Sequence, residues 1–132
     1  MREFLFRGKT YSNKWVYGYL VKGSIDEDFY ILKNVGGTPF WIDQETIGQY
    51  TGLTDKNGKK IFEGDIVKFH TETYTSESDT IGKIEYFNGT FGISYKNGKH
   101  FLEFINMSMY VRWYEVIGNI HDNPELLEKD NV

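Results

Sequence analysis

The sequence predicts a mainly β protein, and three features carry that prediction. Of the 132 residues, 10 are Tyr, 10 are Phe and 3 are Trp, and these residue types favour strands. Ala, the strongest helix former, does not occur. Asn-Gly pairs at 57–58, 88–89 and 97–98 indicate tight hairpins, because both central residues of a type I′ turn need a positive φ.

Four strands are predicted in the first fifty residues, at 2–7, 15–21, 29–32 and 40–42, from runs of aromatic and β-branched residues. The run 15–21 alternates with a period of two, which predicts a sheet with one aromatic face. Residues 43–46 are predicted to form a single helical turn capped by Asp43. These elements together predict a small N-terminal β lobe over residues 1–50.

Beyond residue 50, strands are predicted at 60–62, 65–69, 80–87, 90–96, 100–105 and 109–117, with a polar loop or hairpin tip at 71–79. Asn123 as N-cap and Pro124 at the first helical position predict one short C-terminal helix. Short strands with tight turns favour a small barrel, since closure removes exposed edges. We therefore predict an SH3-like barrel and helix over residues 51–132, and a single domain over residues 1–132.

Composition and charge exclude several classes of protein and site. The sequence has no Cys, which excludes disulfides and thiolate metal sites. It has no run of 18 apolar residues and no N-terminal signal-peptide pattern, so the prediction is a cytoplasmic protein that does not enter a membrane. The net charge is −4, and the acidic excess lies after residue 100, so no broad basic face for duplex DNA is indicated.

Candidate chemical groups are few. His70, His100 and His121 show no metal-ligand spacing, and no metal, cofactor or catalytic residue is predicted. Glu63 and Asp65 would share one face of a strand and could serve a small hydrolase. The favoured interpretation is that Glu-Gly-Asp forms a turn in which Asp65 accepts hydrogen bonds from nearby amides.

Two basic clusters lie beside Asn-Gly turns, and they leave a second function open. The clusters are Lys56/Lys59/Lys60 and Lys96/Lys99/His100. Near exposed tyrosines they could bind a single nucleic-acid strand by charge and base stacking; the tyrosines considered are Tyr50, Tyr74 and Tyr95. The favoured interpretation is that lysines at hairpin tips keep those tips solvated and block edge pairing.

Two blocks of the sequence resemble a known family. Residues 47–67 read IGQYTGLTDKNGKKIFEGDIV and residues 114–127 read YEVIGNIHDNPELL; both are similar to signatures of the YopX family. Residues 2–7 resemble the family's basic and aromatic opening. The sequence departs from the family at Gly8, where a Trp is common.

The resemblance implies a phage or prophage protein with a mainly β fold and an SH3-like element, and it implies no catalytic residues. We therefore expect an uncharacterised accessory protein that acts as a non-enzymatic, oligomeric interaction module. Its expected partners are further copies of itself or a host or phage protein, with nucleic acid as the weaker alternative. The predicted contact surface consists of Gln49, Tyr50, Thr51, Lys56, Lys59 and Lys60.

Overall fold

The computed structural model of the chain describes residues 3–96, 98–101 and 111–129. The chain divides into two compact units between Gly52 and Leu53. The strands and the helix are β1 Phe6–Thr10, β2 Trp15–Lys22, β3 Phe29–Leu32, β4 Phe40–Thr54, β5 Lys60–Phe62, β6 Asp65–Glu72, β7 Glu77–Phe87, β8 Thr90–Tyr95, β9 Gly98–Phe101, β10 Val111–Asn119 and α1 Glu125–Lys129.

The first unit is a closed arrangement of antiparallel strands. The strands β1, β2, β3 and β4 pair in that order, and β4 pairs back with β1. The register between β1 and β4 shifts at a bulge, since Arg7 pairs with Gly48 whereas Lys9 pairs with Asp43. This bulge lies where a helical turn is predicted, so that prediction is wrong. Thr46 stabilises the bulge because its hydroxyl accepts a bond from the Lys9 N–H at 2.7 Å.

The core of the first unit is small. Its buried members are Val16, Ile31 and Ile42, with Leu20 and Ile47 packed against them. Alternation along β2 directs Val16 inward. These few branched side chains supply the apolar burial that holds the closed strands together.

Gly8 marks a close approach inside this core. A methyl group at its Cα would lie 2.3 Å from Cγ2 of Ile42 and 3.4 Å from Cδ1 of Ile31. Gly8 pairs with Val16 on the neighbouring strand. The interior therefore has no room for a side chain at position 8.

The second unit contains a five-stranded antiparallel sheet in the order β10-β6-β7-β8-β9. The strands β6 to β9 form a meander, and β10 returns to lie beside β6. The buried core consists of Ile61, Val67, Phe69, Ile84, Ile93 and Tyr114. The polar stretch 71–79 continues the β6–β7 hairpin as far as the pair Glu72 and Glu77, so the hairpin alternative is confirmed.

The Asn-Gly turns differ in their backbone conformation. Asn88 and Gly89 both have positive φ, at 49° and 81°, as a type I′ turn requires. At the turn 55–59 only Gly58 does, with φ of 82°, and its N–H donates to the Asp55 carbonyl. This second turn is a type I turn that ends in a left-handed glycine. Asn97 of the third pair lies outside the described residues.

The predicted C-terminal helix is present and begins at Glu125, one residue after the predicted first helical position at Pro124, and Asn123 serves differently from an ordinary N-cap. Its backbone carbonyl accepts the Leu126 N–H at 3.1 Å, while its side chain accepts the Asn119 N–H at 3.2 Å. The Asn123 side chain therefore fixes the end of β10.

The predicted fold class is confirmed: the residues that the structure describes are mainly β, with two sheets, a partly closed barrel-like arrangement and one short C-terminal helix. The start of the predicted strand 109–117 and most of the predicted strand 100–105 lie outside the described residues. That both lobes form a single domain stays a prediction. Within the described ranges, no helix has the length and apolar character needed to cross a membrane.

We expect Gly8→Ala to destabilise the first unit, because the added methyl group overlaps Ile42 and overpacking typically costs about 1–3 kcal/mol. Urea unfolding measures the loss. Ile42→Ala should cost less in the Gly8→Ala background than alone, since it removes the overlapping Cγ2 atom. Equal costs of Ile42→Ala in both backgrounds would show that the two side chains do not compete for this space.

Candidate functional site

The outward surface of β2 carries a row of exposed side chains. Val16 points into the core, whereas Tyr17, Tyr19 and Val21 lie on the opposite side and are exposed. Residues two apart on a strand share a face, so these three form one line. The predicted aromatic face is confirmed.

This row continues across the first sheet. Val21 pairs with Tyr30, and Tyr30 pairs with Trp41, so the three side chains lie on the same face. The ring of Tyr11 contacts that of Trp41 with their centroids 4.6 Å apart. We define the aromatic face by its exposed members, with exposed fractions in parentheses: Tyr11 (60%), Tyr17 (45%), Tyr19 (54%), Val21 (38%) and Trp41 (52%).

Cations lie over an indole ring on the same side of the sheet. Arg7 pairs with Tyr17 and Lys9 with Trp15, which places all four side chains on this side. The Arg7 guanidinium is 4.8 Å from the Trp15 ring centroid and the Lys9 ammonium is 5.7 Å from it. Cation–π attraction therefore holds both charges against Trp15.

The predicted contact residues of the first unit are less accessible than expected. Tyr50 is 8% exposed, so the expectation of an exposed stacking ring is wrong. The physical reason is alternation along β4, in which Thr46, Gly48 and Tyr50 all lie on the buried side. Gln49 and Thr51 are partly buried.

The predicted contact lysines all lie in the second unit, around the turn 55–59. Lys56, Lys59 and Lys60 are exposed. The Lys56 ammonium lies 3.8 Å from the Trp113 ring centroid and 3.9 Å from a Glu115 carboxylate oxygen. Lys56 is therefore held against the side chains of β10.

Lys99 of the second basic cluster contacts an acidic and an aromatic side chain. The Lys99 ammonium is 3.4 Å from the Glu85 carboxylate and 5.2 Å from the Phe87 ring centroid. Tyr95 is partly buried and packs edge-on against Phe69 of the core, with centroids 5.4 Å apart. Only Tyr74 among the three tyrosines considered for base stacking is fully exposed.

The carboxylate pair considered for hydrolysis does not present two accessible acids. Asp65 is 2% exposed, and its Oδ2 accepts the Phe62 N–H at 2.7 Å. Gly64 has φ of 92°, as expected for a turn glycine. These observations favour the turn interpretation of Glu63, Gly64 and Asp65.

Asp55 has a structural role that sequence reasoning missed. One of its carboxylate oxygens accepts the N–H groups of Asn57 and Lys59, and the other accepts the N–H of Val116, each at 2.9 Å. Burial acts to raise the Asp55 pKa, but the hydrogen bonds from Val116, Lys59 and Asn57 lower it below its usual range. An Asp just before an Asn-Gly turn was the available signal, but its bond to Val116 is not visible in sequence.

His70 belongs to a cluster that sequence spacing also missed. Its Nδ1 lies 2.6 Å from Oδ1 of Asp79, and its Nε2 lies 3.2 Å from Oε1 of Glu72. The hydrogen bond to Asp79 raises the His70 pKa. A prediction that β6 pairs with β7 would have found this cluster, because that pairing brings His70 and Asp79, nine residues apart, into contact.

We expect Asp55→Asn to destabilise the protein by about 1–3 kcal/mol, because its amide group cannot accept all three N–H bonds and leaves a buried donor unsatisfied. The folded Asp55 pKa is lowered, so its contribution is present above the unfolded pKa and is lost as pH falls through the folded pKa. The stability of wild type should therefore decrease more in acid than that of the variant. Urea unfolding from neutral to acidic pH measures both effects.

Asp122→Asn is the matched control for this experiment. Asp122 is exposed and accepts a side-chain bond from Asn119 at 3.1 Å, so its replacement should change stability by no more than about 0.5 kcal/mol. Equal losses for the two variants would contradict the role assigned to Asp55.

Comparison with known proteins assigns the family. No curated protein matches the chain. The crystal structure of protein EF1440 from Enterococcus faecalis is similar to it, with 29% sequence identity, a TM-score of 0.60, and coverage of 96% of this chain and 99% of that one. A family model described as YopX protein matches residues 5–128. The chain therefore belongs to the YopX family, as its two signature blocks predict.

Proposed function

We propose that this protein is a non-enzymatic interaction module that assembles with a second copy of itself through the aromatic face. The observation that carries the proposal is the uninterrupted exposure of Tyr17, Tyr19 and Val21 on β2, beside the exposed Trp41 on β4. Aromatic side chains are enriched at protein interfaces because they bring a large apolar area with a polar tip.

The size of the aromatic face supports an interface core. Its four half-exposed rings and one Val offer about 400 Å² of apolar surface, at roughly 100 Å² per ring. Patches of this size on monomers are often functional. A standard interface buries about 800 Å² on each partner, so the face would supply its centre and neighbouring polar residues its rim.

The chemistry of the face favours a second copy over a charged partner. None of its five members is Asp, Glu, Lys, Arg or His. A two-fold interface brings the same patch of both copies together, and a patch without charges meets its own copy without like-charge repulsion. A surface that binds nucleic acid needs clustered cations. The two cations near this face, Arg7 and Lys9, are instead held against the ring of Trp15.

We expect wild-type protein to form a concentration-dependent dimer, and Tyr19→Lys to weaken it by at least about tenfold, because a charge at the centre of an apolar two-fold interface faces its own copy. Light scattering coupled to size-exclusion chromatography over a dilution series measures the dissociation constant.

Tyr74→Lys is the control, since it makes the same chemical change at a fully exposed tyrosine of the second unit and should leave the dimer unchanged. A wild-type protein that is monomeric at every concentration contradicts the proposal. Equal weakening by both variants would place the interface elsewhere.

A further inference from the structure

Four side chains of metal-binding type lie on one face of the β6–β7 hairpin. They are His70 and Glu72 on β6, and Glu77 and Asp79 on β7. His70 pairs directly with Asp79, and Glu72 pairs directly with Glu77. Directly paired residues and residues two apart share a face, so the hairpin gathers one imidazole and three carboxylates.

The imidazole of His70 is fixed in orientation from two directions. Its Nδ1 lies 2.6 Å from Oδ1 of Asp79. The indole of Trp113, on the neighbouring β10, stacks on the ring with centroids 5.3 Å apart and planes inclined by only 5°. A carboxylate on one imidazole nitrogen holds the proton there and leaves the other nitrogen as a metal ligand. Asp79 and Trp113 thus present Nε2 in a defined direction.

The atoms that Nε2 faces have the spacing of a coordination sphere. Nε2 lies 3.2 Å from Oε1 of Glu72 and 3.7 Å from Oε2 of Glu77, and one ligand atom from each of the three residues lies within 4.8 Å of the others. Zinc bonds to nitrogen and oxygen are about 2.0–2.2 Å, so neighbouring ligands in a tetrahedral site lie about 3.4 Å apart. The two measured distances bracket that value.

Charge also favours a cation at this position. When Asp79 holds the proton on Nδ1, Nε2 and the carboxylates of Glu72 and Glu77 are all acceptors that face one another. Like charges directly opposite on a sheet are destabilising, and a bound cation removes that cost. Arg112 donates to Oε2 of Glu72 at 3.2 Å, which leaves Oε1 directed towards His70.

We propose that His70, Glu72 and Glu77 bind a divalent first-row transition ion, with Zn²⁺ as the best fit, and that Asp79 is a positioning residue for His70. One nitrogen and two carboxylate oxygens suit Zn²⁺ better than Mg²⁺ or Ca²⁺, which prefer oxygen ligands alone. Solvent completes the fourth position. The bound ion joins β6 to β7 beyond the last residues of the core.

Isothermal titration of the full chain with Zn²⁺ tests this site. We expect one Zn²⁺ per chain in wild type, no comparable binding of Mg²⁺, and a thermal midpoint that rises with Zn²⁺ concentration because the ion binds only the folded state. Glu77→Gln should weaken binding at least about tenfold, and Asp79→Asn by about 10- to 100-fold. Glu77 has a side chain that is 70% exposed, so its replacement should preserve the fold, which circular dichroism checks.

Glu45→Gln removes an exposed carboxylate from the first unit and is the control that should bind Zn²⁺ as wild type does. Co²⁺ gives a second readout, because the paramagnetic ion should quench the fluorescence of Trp113 in wild type and not in folded His70→Gln. A flat wild-type titration overturns the proposal, as does unchanged Zn²⁺ affinity in both Glu77→Gln and His70→Gln.

Discussion

The second unit depends on the hydrogen bonds that the buried carboxylate of Asp55 accepts. This carboxylate closes its own turn through Asn57 and Lys59 and also holds Val116, 61 residues further along the chain. The backbone bond from Lys56 N–H to the Tyr114 carbonyl, at 2.9 Å, reinforces the same connection. A short polar turn thus fixes β10, and β10 in turn supplies Trp113 to the ring of His70. One carboxylate therefore sets the position of side chains that it never touches.

The first unit is governed by a different constraint, the period of two along its strands. That period gives β2 a buried row led by Val16 and an exposed row of Tyr17, Tyr19 and Val21. The interior is filled so tightly that no side chain fits at Gly8, beside Ile42. A core this small leaves other aromatic rings of this unit exposed, among them those of Tyr17, Tyr19 and Trp41.

Local patterns predicted much of this fold, because local chemistry determines it. The turn at Asn88 and Gly89 needs positive φ at both residues, and the aromatic face follows from alternation along β2. The burial of Tyr50 was not predictable, since it depends on which phase of the long β4 strand faces inward after a bulge. The cluster around His70 depends on the pairing of β6 with β7 and of β10 with β6. The spacing of residues in the sequence does not reveal that β10 pairs with β6.

The closed pairing of the first unit has a consequence for the order of folding. The strand β1 pairs with β4, so Phe6 meets Gln49 across more than forty residues of chain. In the second unit, β6 to β9 pair with their immediate neighbours in sequence. Loop-closure entropy delays distant contacts, so the meander forms early and β1 acquires its second partner late. During synthesis β1 leaves the ribosome with one edge unpaired until β4 has followed it.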